Sequence, residues 1–265
     1  LMIRRPPRST LDRSSAASDV YKRQDTQLSY FDIGLCSLTV FVGATLQGSV
    51  GFGMGLFASP ILILIDERFV PAPILLATWV LTTFLILRER HAIDIHGLRW
   101  AVTGRLLGTV LAAMILASLP VDLMGLVFGG LVLLGVAMSG SNLRLEPRRE
   151  VLLSAGVLSA LMGTIASIGG PPMALVYQDA PGSRLRSTMS SFFWVGTVMS
   201  LLALRWVGRF GQEEIELTLV IVPGVLLGFW ASRWTSPVID RGYTRAAVLT
   251  LAAGAALAVI TRQFV

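Results

Sequence analysis

Gly51-Phe-Gly-Met-Gly-Leu-Phe-Ala-Ser-Pro60 and Gly163-Thr-Ile-Ala-Ser-Ile-Gly-Gly-Pro-Pro172 decide the fold. Each interrupts an otherwise apolar, helix-length run, and in each the first Gly and last Pro stand nine residues apart. Inside a bilayer, a broken helix frees backbone donors and acceptors that lipid cannot satisfy. Such breaks therefore persist only where they are buried or line a cavity. Two matching breaks in two halves of one chain point to a transport site. Gly51, Pro60, Gly163, Pro171 and Pro172 mark these breaks, and the prolines suit the first turn of a restarting helix, where the missing N–H is not needed.

Composition agrees with a membrane setting. Mean hydropathy is +0.70, 54% of the 265 residues are hydrophobic and only 14% are charged. That is too apolar for a soluble domain with a charged surface. Apolar stretches at about 30–48, 70–87, 98–118, 121–139, 187–207, 215–235 and 243–261 approach or reach the roughly 20 residues of a bilayer span. Those beside the breaks, 54–65, 151–162 and 171–177, are shorter. The single cysteine, Cys36, has no internal disulfide partner.

Residues 1–24 differ from the remainder. They hold Arg4, Arg5, Arg8, Arg13, Lys22 and Arg23, with no apolar segment followed by a cleavage site. The string resembles the translation of a sequencing adaptor fused to a coding sequence, so we set it apart from residues 25–265, read as a single transmembrane domain. Of 22 cations and 16 acids, removing this leader's six cations and two acids leaves 16 arginines and 14 acids, a net charge of +2. The arginines form no basic, aromatic-interleaved face, which excludes a nucleic-acid partner.

Further landmarks repeat in the same order. Trp79-Val-Leu-Thr82 matches Trp194-Val-Gly-Thr197, and Gly104-Arg-Leu-Leu-Gly108 matches Gly224-Val-Leu-Leu-Gly228. With the breaks, the offsets are 112, 115 and 120 residues, a drift that small loop insertions explain. The chain thus reads as two repeats, about 30–139 and 150–262. If each break divides a helical hairpin followed by three spans, eleven arginines share one face and Arg68, Arg205, Arg209 and Arg262 lie on the other. Treating 151–177 as one span gives nine against six; retaining the leader gives ten against eleven. The hairpin reading has the stronger bias and gives five segments per half, an odd number that inverts the second half relative to the first. The expected fold is an all-α polytopic membrane protein of two inverted repeats.

The paired Gly-rich elements ending in Pro, each early in its half, resemble those of the TauE/SafE family of sulfite and organosulfonate exporters, over about 30–262. The first copy departs by ending Phe57-Ala-Ser-Pro60, with less glycine, which leaves the substrate open. The resemblance implies export of a small sulfur-containing anion across a bacterial inner membrane by a multi-pass secondary transporter. An importer or channel, or a non-transporting subunit or scaffold, is the alternative.

Residue chemistry is compatible with an anion. A restarting helix offers unpaired N–H groups and its positive dipole end. Backbone donors around Gly53, Gly55, Gly169 and Gly170, with hydroxyls of Ser59, Thr164 and Ser167, are the candidate ligands; the same glycines could instead serve helix crossing. Thr82 and Thr197, with their tryptophans, either line the cavity or bond back to their own helices. Arg105 is the one cation well inside an apolar stretch. It either attracts the anion or snorkels to the interface beside Arg99. His91, Asp94 and His96 sit in an Arg-rich connection and read as a solvated loop, not a metal site. No nucleophile triad, phosphate loop or cofactor motif occurs. The expected partners are a small anion and lipid, with a homo-oligomer left open.

Overall fold

The computed structural model describes residues 28–141, 143–239 and 243–262. The leader and Arg241 lie outside them, as does the side chain of Arg245. Among the described residues there are ten α-helices, two short 3-10 turns and no strand. We label the helices α1 (Tyr30–Val50), α2 (Met54–Ile65), α3 (Ala72–Glu89), α4 (Ile95–Ser118), α5 (Val121–Gly140), α6 (Arg149–Ala166), α7 (Gly170–Tyr177), α8 (Gly182–Trp206), α9 (Gln212–Ile239) and α10 (Tyr243–Thr261). Among the described residues seven are long and apolar enough to cross a bilayer; α2 and α7, which follow the breaks, fall short, and the part of α10 so assessed, Val248–Thr261, is shorter than a full span as well.

Local chemistry sets the helix ends. Ser29 and Asp32 close a capping box at the start of α1, and Gly51 ends it in the left-handed conformation at φ 101°, its N–H on Gln47 O. α6 ends at Ser167, also left-handed at φ 62°, with its N–H on Gly163 O.

The breaks are thus 51–53 and 167–169, an offset of 116 residues, so the Gly-to-Pro alignment read from the sequence is displaced by four residues, about one helical turn. Two expectations change. Gly163 lies inside α6 and does not mark the break. Pro60 lies in the interior of α2, not in its first turn. In the first copy Gln47 Oε1 accepts the Met54 N–H at 3.3 Å, which supports a helix start ahead of Pro60. Pro171 and Pro172 do sit in the first turn of α7.

Small residues let the helices cross closely. Gly104 and Gly108 of α4 face Leu153 O and Val157 O of α6, and Gly224 and Gly228 of α9 face Ser37 O and Phe41 O of α1. A methyl group at any of the four would overlap the facing carbonyl oxygen. The two Gly-xxx-Gly segments matched in sequence therefore do matching work, bringing α4 onto α6 and α9 onto α1. α3 packs on α8 and α5 on α10. The matched tryptophans meet: Trp79 and Trp194 stack with centroids 5.9 Å apart, and Trp194 Nε1 donates to Thr83 Oγ1 at 3.0 Å. Cys36 is buried among the apolar side chains of α1, α2, α3 and α9.

Candidate functional site

The two breaks meet in the middle of the bundle. Gly55, on the first turn of α2, lies so close to the Ser167 carbonyl that a Cβ there would overlap it, and a Cβ on Gly170 would press on the Phe52 ring at 3.0 Å. Between them is a cavity of about 30 Å³, room for one or two waters. It is lined by Gly53, Gly55, Arg105, Gly163, Ser167, Gly169, Gly170, Pro171 and Thr197, all singled out in the sequence. Gln47, Phe52, Thr78 and Phe193 also line it.

Arg105 does not snorkel. It is 1% exposed and reaches inward from α4. Two facts overturn the interfacial alternative. The helix begins at Ile95, ahead of the apolar stretch, so Arg105 stands ten residues in, about 15 Å along a 24-residue helix. Its face is also directed at α6 and α8. Arg105 Nη1 donates to Ser159 Oγ at 3.2 Å, and Ser159 donates in turn to Gly169 O, tying the guanidinium to the second break. Its Cζ lies 4.8 Å from the Phe192 ring centroid, a cation–π contact. Gly196 supplies the space: a Cβ there would fall on the Arg105 side chain.

What Arg105 lacks is an acid. Among the described residues no carboxylate pairs with it, and its Nε has no hydrogen-bond partner. Gln47 presents the cavity with a second unsatisfied donor, Nε2, which is buried and unpartnered. The restart of α7 adds less than its dipole suggests, because Pro171 and Pro172 remove two of the four N–H groups a helix start normally offers. The arrangement offers donors and positive charge in a small, confined space, which is chemistry for an anion.

Other expected ligands lie elsewhere. Thr82 bonds back to Thr78 O at 2.9 Å and Trp79 O at 3.1 Å, and does not line the cavity. Thr164 pairs with Ser200, hydroxyl to hydroxyl, at 2.8 Å. Ser59 is buried in α2 away from the lining, with its hydroxyl unpartnered. Gln47 and Ser159 escaped the sequence reading, and Gly196 entered it only as part of a repeated landmark. Gln47 had a signal, a lone amide in an apolar span; Ser159 and Gly196 become visible only once Arg105 is placed.

The arginine-rich end closes the bundle beside the first break. Arg186 Nε lies 3.0 Å from Glu89 Oε2, and Arg88 donates to Gly48 O at 2.6 Å and Ser232 Oγ at 2.9 Å. These join α1, α3, α8 and α9 next to Gly51. Asp94 is no freely solvated loop acid. It caps α4 by accepting the Gly97 N–H at 3.1 Å, accepts the Tyr177 hydroxyl at 3.1 Å and pairs with Arg184 at 3.3 Å. Burial opposes its charge, but these three donors prevail and hold its carboxyl below the usual aspartate range. Among the described residues no cluster of three or more His, Cys, Asp or Glu could hold a metal.

The family model described as sulfite exporter TauE/SafE matches residues 36–259. No curated protein and no solved structure matches the chain.

Proposed function

Since this chain belongs to the sulfite exporter TauE/SafE family, a family of multi-pass membrane transporters, we propose that it is a secondary transporter moving a small sulfur oxyanion, sulfite or a sulfonate, out of a bacterial cell across the inner membrane. The observation that carries this reading is Arg105, a buried guanidinium without a carboxylate partner at the cavity where the two helix breaks meet. An uncompensated buried cation costs several kcal/mol. A bound anion offsets that cost and gains charge-assisted hydrogen bonds from Arg105 and Gln47.

The helix pairing is reciprocal between the halves, as an inverted repeat requires. α1 takes α9 as its partner and α6 takes α4, so the first helix of each half packs on the fourth of the other. In this reading the central cavity lies between the halves, and rearrangement of one against the other exposes it to each side in turn. The small cavity suits a closed stage of that cycle, with Glu89–Arg186 as a latch on the arginine-rich face. A single arginine and a few dipoles hold the oxyanion firmly enough to select it and weakly enough to release it.

The test is efflux of labelled sulfite from proteoliposomes, with sulfate and chloride as competitors, for the native protein and Arg105→Gln. Saturable flux that sulfite-like anions inhibit and that the variant lacks is expected. No flux from folded, monodisperse native protein, or undiminished flux in the variant, would refute the assignment.

A further inference from the structure

A second cavity lies at the end of the bundle away from the arginine-rich face. Its volume is about 500 Å³, and it opens among the ends of α2, α4, α5, α8 and α10. Its wall is mainly apolar, from Ile63, Leu64, Phe128 and Val259 among others, and three arginines stand on it: Arg68, Arg209 and Arg262.

The three are not equivalent. Arg68 is committed to Asp66 at 2.6 Å and Glu213 at 3.3 Å. Among the described residues Arg209 donates to weak or neutral acceptors, Met124 Sδ at 3.1 Å and Leu116 O at 3.5 Å, and Arg262 to Leu64 O at 3.2 Å. Among the described residues neither has a carboxylate within ion-pair distance. Among the described lining residues the one acid, Glu67, is exposed and forms no ion pair with another described residue. Each guanidinium has five N–H donors, so the half-buried Arg209 and the exposed Arg262 keep donors beyond these bonds. Two guanidinium forks beside a pocket with an apolar wall suit a group with several charged oxygens.

The pocket adjoins the central site. Pro71 lines it and Ser167 lines the central cavity, and the Ser167 hydroxyl donates to Pro71 O at 3.0 Å, so the two linings touch at this bond. We infer that the cavity is a second oxyanion site, held by Arg209 and Arg262 and distinct from the Arg105 site. Its occupant is an oxyanion with three or more oxygens, either a free sulfite-sized anion or the phosphate of a lipid headgroup whose chains follow the apolar wall. The inference does not depend on the central site transporting anything.

Equilibrium binding of labelled sulfite to the full chain, delipidated in neutral detergent, tests the free-anion source. In the Arg105→Gln background one saturable class of binding should remain. Adding Arg209→Gln and Arg262→Gln together should weaken it about tenfold or more, while the paired lysine substitutions, which keep the charge but lose the fork, should weaken it less than the glutamines do. Native mass spectrometry tests the lipid source after reconstitution with phosphatidylglycerol. Retention of one lipid by the native chain and its loss in the double glutamine variant would assign the site to the headgroup. If the double glutamine variant changes neither sulfite binding nor lipid retention, the inference is overturned. Binding that depends on Arg209 and Arg262 but not on Arg105 would sink the transport reading and leave this one standing.

Discussion

Replacing Arg105 with Gln should separate stability from binding. In the anion-free protein the native side chain gains one charged hydrogen bond to Ser159, about 1.5–3 kcal/mol, and a desolvated cation–π contact on Phe192, about 2 kcal/mol. Against these stands the burial of an unpaired cation, several kcal/mol. The terms nearly cancel, so Arg105→Gln should leave anion-free stability unchanged or raise it by about 1 kcal/mol. It should not cause the roughly 3–5 kcal/mol loss seen when a buried ion pair loses one partner. Binding is where the residue matters. An anion at 100 times its Kd stabilises the native protein by about 2.7 kcal/mol, and that increment should vanish in the variant. Thermal unfolding in detergent, with and without sulfite, reads both quantities. A variant destabilised by 3 kcal/mol or more, beside a native protein that no oxyanion stabilises, would show Arg105 to be a structural strut and refute the argument.

Four further outcomes follow from the geometry. Gly196→Ala keeps the Arg105 charge but occupies its space, so sulfite flux should fall about tenfold or more at similar expression; unchanged flux would mean the guanidinium has another place to lie. Gln47→Leu removes the unpartnered Nε2 and the Met54 contact, and should weaken sulfite binding about tenfold in the same titration. Gly104→Leu and Gly224→Leu each force a side chain onto a facing carbonyl and should each lower stability by about 1–3 kcal/mol, measured by thermal unfolding; native-like melting would contradict the close crossing. Asp94→Ala should cost about 1–2 kcal/mol as a lost helix cap. Because folding lowers the Asp94 carboxyl below its unfolded value near 3.8, its ionic contribution is present above that pH and fades as the pH falls through the folded value. The melting difference between native and variant should therefore hold from pH 7 to 5 and shrink below about 4.

The family and the broken-helix plan were legible because both depend on residue types that leave few options. An apolar chain with a few single arginines must cross a bilayer, and a glycine-rich run such as Gly51-Phe-Gly-Met-Gly55 or Gly169-Gly170 before a proline favours a helix end. The register was less legible. Gly51 and Gly163 look equivalent, yet one caps a helix and the other lies inside one, because α6 runs on to a left-handed Ser167.

Arg105 shows where sequence reasoning runs out. Distance along a helix left snorkelling and inward burial nearly balanced; which face of α4 meets α6 and α8 settled it. Gly196 read as part of a repeated landmark, yet its role is the absence of a Cβ above a guanidinium 91 residues away in the chain. The sequence alone therefore determined the solvent, the helical class and the presence of two breaks, because backbone hydrogen bonding in lipid permits little else. Tertiary structure alone decided that the breaks touch, that Arg105 lies beside them with no carboxylate partner among the described residues and that Gln47 joins it. Those facts depend on which helix faces pack together, and packing is set jointly by residues far apart in the chain.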